Sequence, residues 1–83
     1  MKVLYFAWLR ERIGCVEEEI EPPPAVATIG ELMTWLAARG EPYANAFANP
    51  RVVRAAIDRN HVQPDARIAG ASEIAFFPPM TGG

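Results

Sequence analysis

The sequence predicts an α+β domain, a mixed sheet packed on one main helix with an extended C-terminal tail. Three observations carry this reading. Runs of strand-type residues stand near both ends, "KVLYFAW" at Lys2–Trp8 and "EIAFF" at Glu73–Phe77. A single apolar stripe of helical period lies between them, with both ends marked. The last strand then stops on Pro78-Pro79, and the sequence closes on Gly82-Gly83.

Lys2 to Trp8, rich in β-branched and aromatic residues, suits a central strand covered on both faces. "LRERIG" punctuates and ends at Gly14. Cys15 to Glu21 alternates, with Val16, Glu18 and Ile20 on one face and Glu17, Glu19 and Glu21 on the other. This is expected to be a second strand, paired with the first as a hairpin. Its carboxylates are spread along a solvated edge, where charge opposes aggregation, rather than gathered for metal binding or acid–base work. Pro22–Pro24 end the strand, having no N–H to give to a ladder.

Thr28 and Glu31 have the spacing of a capping box, and Gly40 stands where a helix C-terminal glycine belongs. Ile29, Leu32, Met33 and Leu36 recur between them at helical spacing. "EPYANAFANP" adds a short helical turn, with Pro42 near its start and Pro50 closing it. Arg51 to Ile57 resumes an extended pattern, "DRNH" turns the chain, and Val62 and Ile68 anchor a long connection into the last strand. Side chains alternate there, so Phe76 follows Ile74 into the core and Phe77 turns outward. An outward Phe beside an extended tail is a candidate partner anchor, unless a loop covers it.

The 83 residues leave room for one core, and a hydrophobic content of 51% separates the chain from disordered ones. The net charge of −2, with both signs interspersed, offers no stripe for nucleic acid and no polybasic membrane patch. The apolar start is too short to span a bilayer and lacks a signal cleavage site. Cys15 is the one cysteine and cannot form an internal disulfide, which fits a reducing, cytoplasmic setting. His61, the one histidine, is expected on a surface turn rather than as a base or ligand. No Cys/His cluster suggests a metal, and no phosphate-binding loop is present. Trp8 and Trp35 read as core or interface aromatics, and Arg10 as a solvated ion or the partner of a docking carboxylate.

The tail carries the chemistry. Residues 1–77 read as the folded domain and 78–83 as the extended tail. Pro78 and Pro79 fix φ and favour an extended path. From Pro78 to Gly83 the chain reaches roughly 20 Å, at about 3.3–3.6 Å per residue. Gly82 and Gly83 lack Cβ atoms, pass a narrow channel and let backbone groups approach closely. A free carboxylate is a poor acyl donor, but ATP converts it to an acyl-adenylate. A sulfur nucleophile then leaves a thiocarboxylate, and an amine leaves an amide.

"FFPPMTGG" resembles the C-terminal signature of the small, sulfur-carrier subunits of molybdopterin synthase, in which F-P-P, two residues and Gly-Gly close the chain. Leu9, Arg10, Glu11 and Gly14 match that family's L-R-E-x-x-G. "AIDRNHVQPDARIAGASEIAFFPP" follows its A-V-N-x-x-x-V-x-x-D-x-x-L-x-x-G-D-E-V-A-F-F-P-P without a gap. Asp58 stands at the usual Asn, Ala71 at the usual Gly and Ser72 at the usual Asp, with Gly70 one residue early. These departures bear on turn geometry, while Gly82 and Gly83 are intact.

The resemblance implies a ubiquitin-like β-grasp fold and a defined set of partners. An adenylating enzyme related to ubiquitin activators uses Mg-ATP on the terminal glycine, and a sulfurtransferase supplies sulfur. The tail then enters the large synthase subunit of a heterotetramer, which holds the catalytic residues. Two sulfur transfers to cyclic pyranopterin monophosphate build the dithiolene of molybdopterin. On this reading Gly83 carries the sulfur, Gly82 gives clearance, and Phe77, Pro78, Pro79, Met80 and Thr81 dock the tail. No cofactor is bound stably, no metal is held, and Cys15 is not needed.

Three alternatives remain at this level. The sulfur carrier of thiamin thiazole synthesis shares the fold and the Gly-Gly end, although F-F-P-P and L-R-E argue against it. A ubiquitin-like modifier would yield isopeptide-linked products instead of a sulfur-bearing metabolite. A plain binding module would keep its function without Gly82-Gly83.

Overall fold

The structure, a computed structural model, describes residues 1–79. The described strands form one mixed sheet: β1 Lys2–Tyr5, β2 Glu17–Glu19, β3 Arg54–Ile57, β4 Asn60–Val62 and β5 Glu73–Phe77. Their order is β2-β1-β5-β3-β4, with β1 and β5 parallel and the other pairs antiparallel. Helices α1 Trp8–Ile13, α2 Ile29–Ala37 and α3 Glu41–Ala46, with a 3-10 turn at Pro50–Val52, complete the fold. One face of the sheet supplies Val3, Tyr5, Ile74 and Phe76 to the core, against Leu9 of α1, Leu32 and Leu36 of α2 and Phe47 after α3.

The main helix starts as its sequence predicts. Glu31 N donates to Thr28 Oγ1 at 3.2 Å, while Thr28 N and Ala27 N donate to Glu31 Oε1 at 3.1 and 2.8 Å. Its other end differs. Arg39 N bonds back to Leu36 O at 3.0 Å, so the last turn tightens before the glycine is reached. Gly40 instead precedes α3, where its φ of 154° redirects the chain and Pro42 sits in the first turn.

The first strand is shorter than expected. It ends at Tyr5, Ala7 takes a φ of 54°, and Trp8–Ile13 is helical. The i, i+4 pair Leu9 and Ile13 explains this, since a helix turns both toward the core. Gly14 then closes α1 at a φ of 92°, donating to Arg10 O at 2.8 Å. Nor is β1 covered on both faces: Val3 and Tyr5 are buried, Lys2 and Leu4 half-buried.

The second strand is also shorter, and Val16 is 56% exposed instead of sharing the inner face with Glu18 and Ile20. Tyr5 N still donates to Val16 O at 2.9 Å, so backbone pairing with β1 reaches Val16, but its side chain stays in solvent at the end of the ladder. Residues 51–52 lie in the 3-10 turn, because Pro50 sets its first position, and extended structure starts at Arg54. The following turn needs only Asp58 and Arg59, at φ 47° and 73°. This brings Asn60 and His61 into β4, where a turn was expected. The Asp58 carboxylate accepts N–H bonds from Ser72 at 3.1 Å and Glu73 at 2.9 Å, which pins the start of β5. Ile68 is a buried anchor, with its N–H on Ala27 O at 3.0 Å.

Candidate functional site

Strand alternation splits the two consecutive phenylalanines of β5. Phe76 is fully buried and meets Phe47 edge to face, with ring centroids 5.2 Å apart and planes at 79°. Phe77 turns to the opposite face, across from Arg54 on β3. The register lays Leu4, Ala75, Ala56 and His61 in a row across that outer face. Phe77, Pro78 and Pro79, all half-buried, line an open apolar depression with Phe6, Ala56, Arg59, His61 and Ala75. Phe6 is 44% exposed. Met80, Thr81, Gly82 and Gly83 lie outside the described residues.

His61 was missed as part of this surface. Its ring lies 5.1 Å from that of Phe77, with the planes tilted by 49°. A strand histidine, and not a loop, therefore flanks the outward phenylalanine. The signal was present in the spacing: a two-residue turn at Asp58-Arg59 makes a hairpin and sets His61 opposite Ala56.

A second cluster sits on the helix side of the sheet. Glu18 Oε2 accepts hydrogen bonds from Tyr5 at 2.8 Å and Tyr43 at 2.7 Å, and its Oε1 pairs with Arg39 at 3.1 Å. Arg39 also lies over the rings of Tyr43 and Trp35, at 4.9 and 5.4 Å. Of the carboxylates in β2, this one is drawn inward while Glu17 and Glu19 stay exposed. The network ties α3 and the end of α2 to the β1–β2 hairpin, so its role is structural.

Burial opposes ionisation of Glu18, but the two tyrosine hydroxyls and Arg39 outweigh it and hold the carboxyl below its usual range. Burial and Glu18 together push Tyr43 up to about 12 and Tyr5 higher still. A lowered folded value means stability that is present above the unfolded carboxyl pKa of about 4.3 and lost as pH falls through the folded value. Glu18→Gln is thus expected to cost about 1–2 kcal/mol near neutral pH, with the gap closing in acid. Thermal melts of both proteins at pH 7 and pH 3 check this; a gap unchanged by pH would remove the charge from the account.

Cys15 is half-buried, and burial with the nearby Glu18 charge pushes its thiol up, Arg39 opposing. It is held as a thiol and is a poor nucleophile. Arg10 is exposed, and Trp8 and Trp35 pack against the core from its margin, with Arg12 4.5 Å from the Trp8 ring centroid. Among the described residues no three His, Cys, Asp or Glu side chains group for a metal, and no helix is long and apolar enough to cross a membrane.

Known proteins are similar to this chain in sequence and fold. The ThiS family model matches residues 3–83. This chain belongs to the ThiS family. Over all 83 residues it is 34% identical to the molybdopterin synthase sulfur carrier subunit of Escherichia coli K12, covering 99% of that protein. A Pyrococcus furiosus protein solved under the name molybdopterin converting factor, subunit 1, matches at 27% identity and a TM-score of 0.74, covering 95% of each chain. SAMP1 from Haloferax volcanii superposes with a TM-score of 0.71 over 100% of this chain and 98% of its own. At 22% identity that likeness speaks for the fold alone. The ubiquitin-like β-grasp fold implied by the sequence motifs holds for this family member, as does the resemblance to molybdopterin synthase sulfur carriers.

Proposed function

We propose that this chain is the sulfur carrier subunit of a molybdopterin synthase, acting through a thiocarboxylate on Gly83. The observation that supports this most is a full-length relative of that name, joined to an outward Phe77-Pro78-Pro79 segment that leads toward Gly82-Gly83. The chemistry divides between chain and partners. A ubiquitin-activator-like enzyme attaches AMP from Mg-ATP to the terminal carboxylate, with release of pyrophosphate. The persulfide sulfur of a sulfurtransferase displaces AMP to give an acyl disulfide, and a thiol reduces its S–S bond to leave the thiocarboxylate. The large synthase subunit, as partner in a heterotetramer, supplies the catalytic residues for transfer to cyclic pyranopterin monophosphate. This chain supplies reach, clearance at Gly82 and a docking face, and works in the cytoplasm without a resident cofactor.

The test is the intact mass after incubation with the adenylating partner, Mg-ATP and a sulfur donor. One oxygen replaced by sulfur is expected, mapped to Gly83 and absent when ATP is omitted. An unchanged mass, with a partner active on another carrier, would refute the reading. An isopeptide adduct on a lysine would reassign the chain to protein modification.

A further inference from the structure

The outer face of the sheet is polarised in charge. Its first row, Glu19-Lys2-Glu73, carries both signs. In the rows through Ala75 and Phe77, strands β5, β3 and β4 contribute His61 and Arg54 but no carboxylate. Glu17 lies at the far end of one row on β2, and Asp58, next to Arg59 in the turn, has its carboxylate turned to the Ser72 and Glu73 N–H groups at 3.1 and 2.9 Å. Arg59 reaches the same depression from the β3–β4 turn, is exposed, and makes no ion pair among the described residues. Arg54 differs, since its guanidinium is turned to Arg51 O at 2.8 Å.

We propose that this face recognises a partner surface bringing an apolar side chain onto Phe77 and a carboxylate to Arg59, with the His61 ring continuing the apolar contact between them. The inference rests on the docking role given to Phe77 and Pro78 above, and adds the charge of the partner. The chain as a whole has a net charge of −2, so overall charge does not draw in an acidic surface and the attraction is local to this face. Charge arranged in this way sets orientation and speeds encounter more than it adds to final affinity. A partner docked with its carboxylate on Arg59 places its apolar contact beside Pro78.

Binding of the full chain to the synthase large subunit of the same organism, measured at low and high salt, decides the matter. Arg59→Glu is expected to slow association and raise Kd about three- to tenfold at low salt, with the difference collapsing at high salt. Arg59→Gln is expected to show a smaller effect of the same kind. Both substitutions keep a non-glycine residue at the same positive φ, so circular dichroism should be unchanged. Phe77→Ala should weaken binding at every salt concentration. Phe77-dependent binding with an Arg59→Glu Kd and salt slope equal to wild type overturns the inference and leaves the docking role standing. Binding that ignores both residues, or no binding by wild type, overturns both.

Discussion

Removing Gly82 and Gly83 is expected to abolish sulfur acceptance and transfer while leaving the melting temperature unchanged. The loss is total because geometry at the reacting carboxyl is unforgiving. Two residues shorten the reach by about 7 Å, whereas a misplacement of about 1 Å already costs on the order of a hundredfold. The new terminus would also be Thr81, whose β-branched side chain takes up the space that glycine leaves open. Stability should not follow, because the buried core runs from Val3 to Phe76. The measurements are the ATP-dependent mass gain, the yield of sulfur-bearing pterin, and a thermal melt. A truncated chain that still delivers sulfur would move the reactive group away from Gly83. A chain that unfolds would show that the two glycines belong to the fold.

The second large effect lies in stability and separates two neighbours. Phe76→Ala empties a site at the centre of the sheet, between β1 and β3 and against Phe47. Truncating a buried Phe costs about 3–5 kcal/mol. A domain of this size holds roughly 4–12 kcal/mol in all, at about 0.05–0.15 kcal/mol per residue. The denaturant midpoint should therefore fall by roughly a quarter or more with the slope unchanged, and a chain at the weak end of that range should stand near its unfolding midpoint without denaturant. Phe77→Ala should stay within about 1 kcal/mol of wild type, as surface changes do, yet lose partner binding. Equal destabilisation by both substitutions would mean that β5 does not hold the register described.

Much of this was legible in the residues, and the errors share a cause. The capping box at Thr28 and Glu31 was readable because both partners lie within one turn. The opposite fates of Phe76 and Phe77 were readable because strand period is local geometry. Trp8–Ile13 was misread because "VLYFAWLRERIG" carries strand-type residues into a helix that exists only once Leu9 finds the core. Gly40 was placed at the wrong helix end because α2 closes on its own backbone first. His61 falls outside the turn because two residues suffice for it: Asp58 tolerates positive φ by type, but Arg59 at φ 73° does not announce it. Alternation sets Glu18 on the face of Ile20, but not its bonding, because its two tyrosine partners are 13 and 25 residues away.

By itself, then, the sequence determined the α+β class, the main helix, the inward and outward sides of the last strand, and a tail whose glycines belong to a sulfur-carrier signature. These depend on contacts within a few residues or on chemistry at a chain end. Only the tertiary structure decided that Phe6, His61 and Arg59 meet Phe77 beside Pro78 and Pro79, and that Glu18 joins Tyr5, Tyr43 and Arg39. Both groupings draw on strands and helices far apart in the chain, and pairing across a sheet is set by register and core packing, which no local pattern contains.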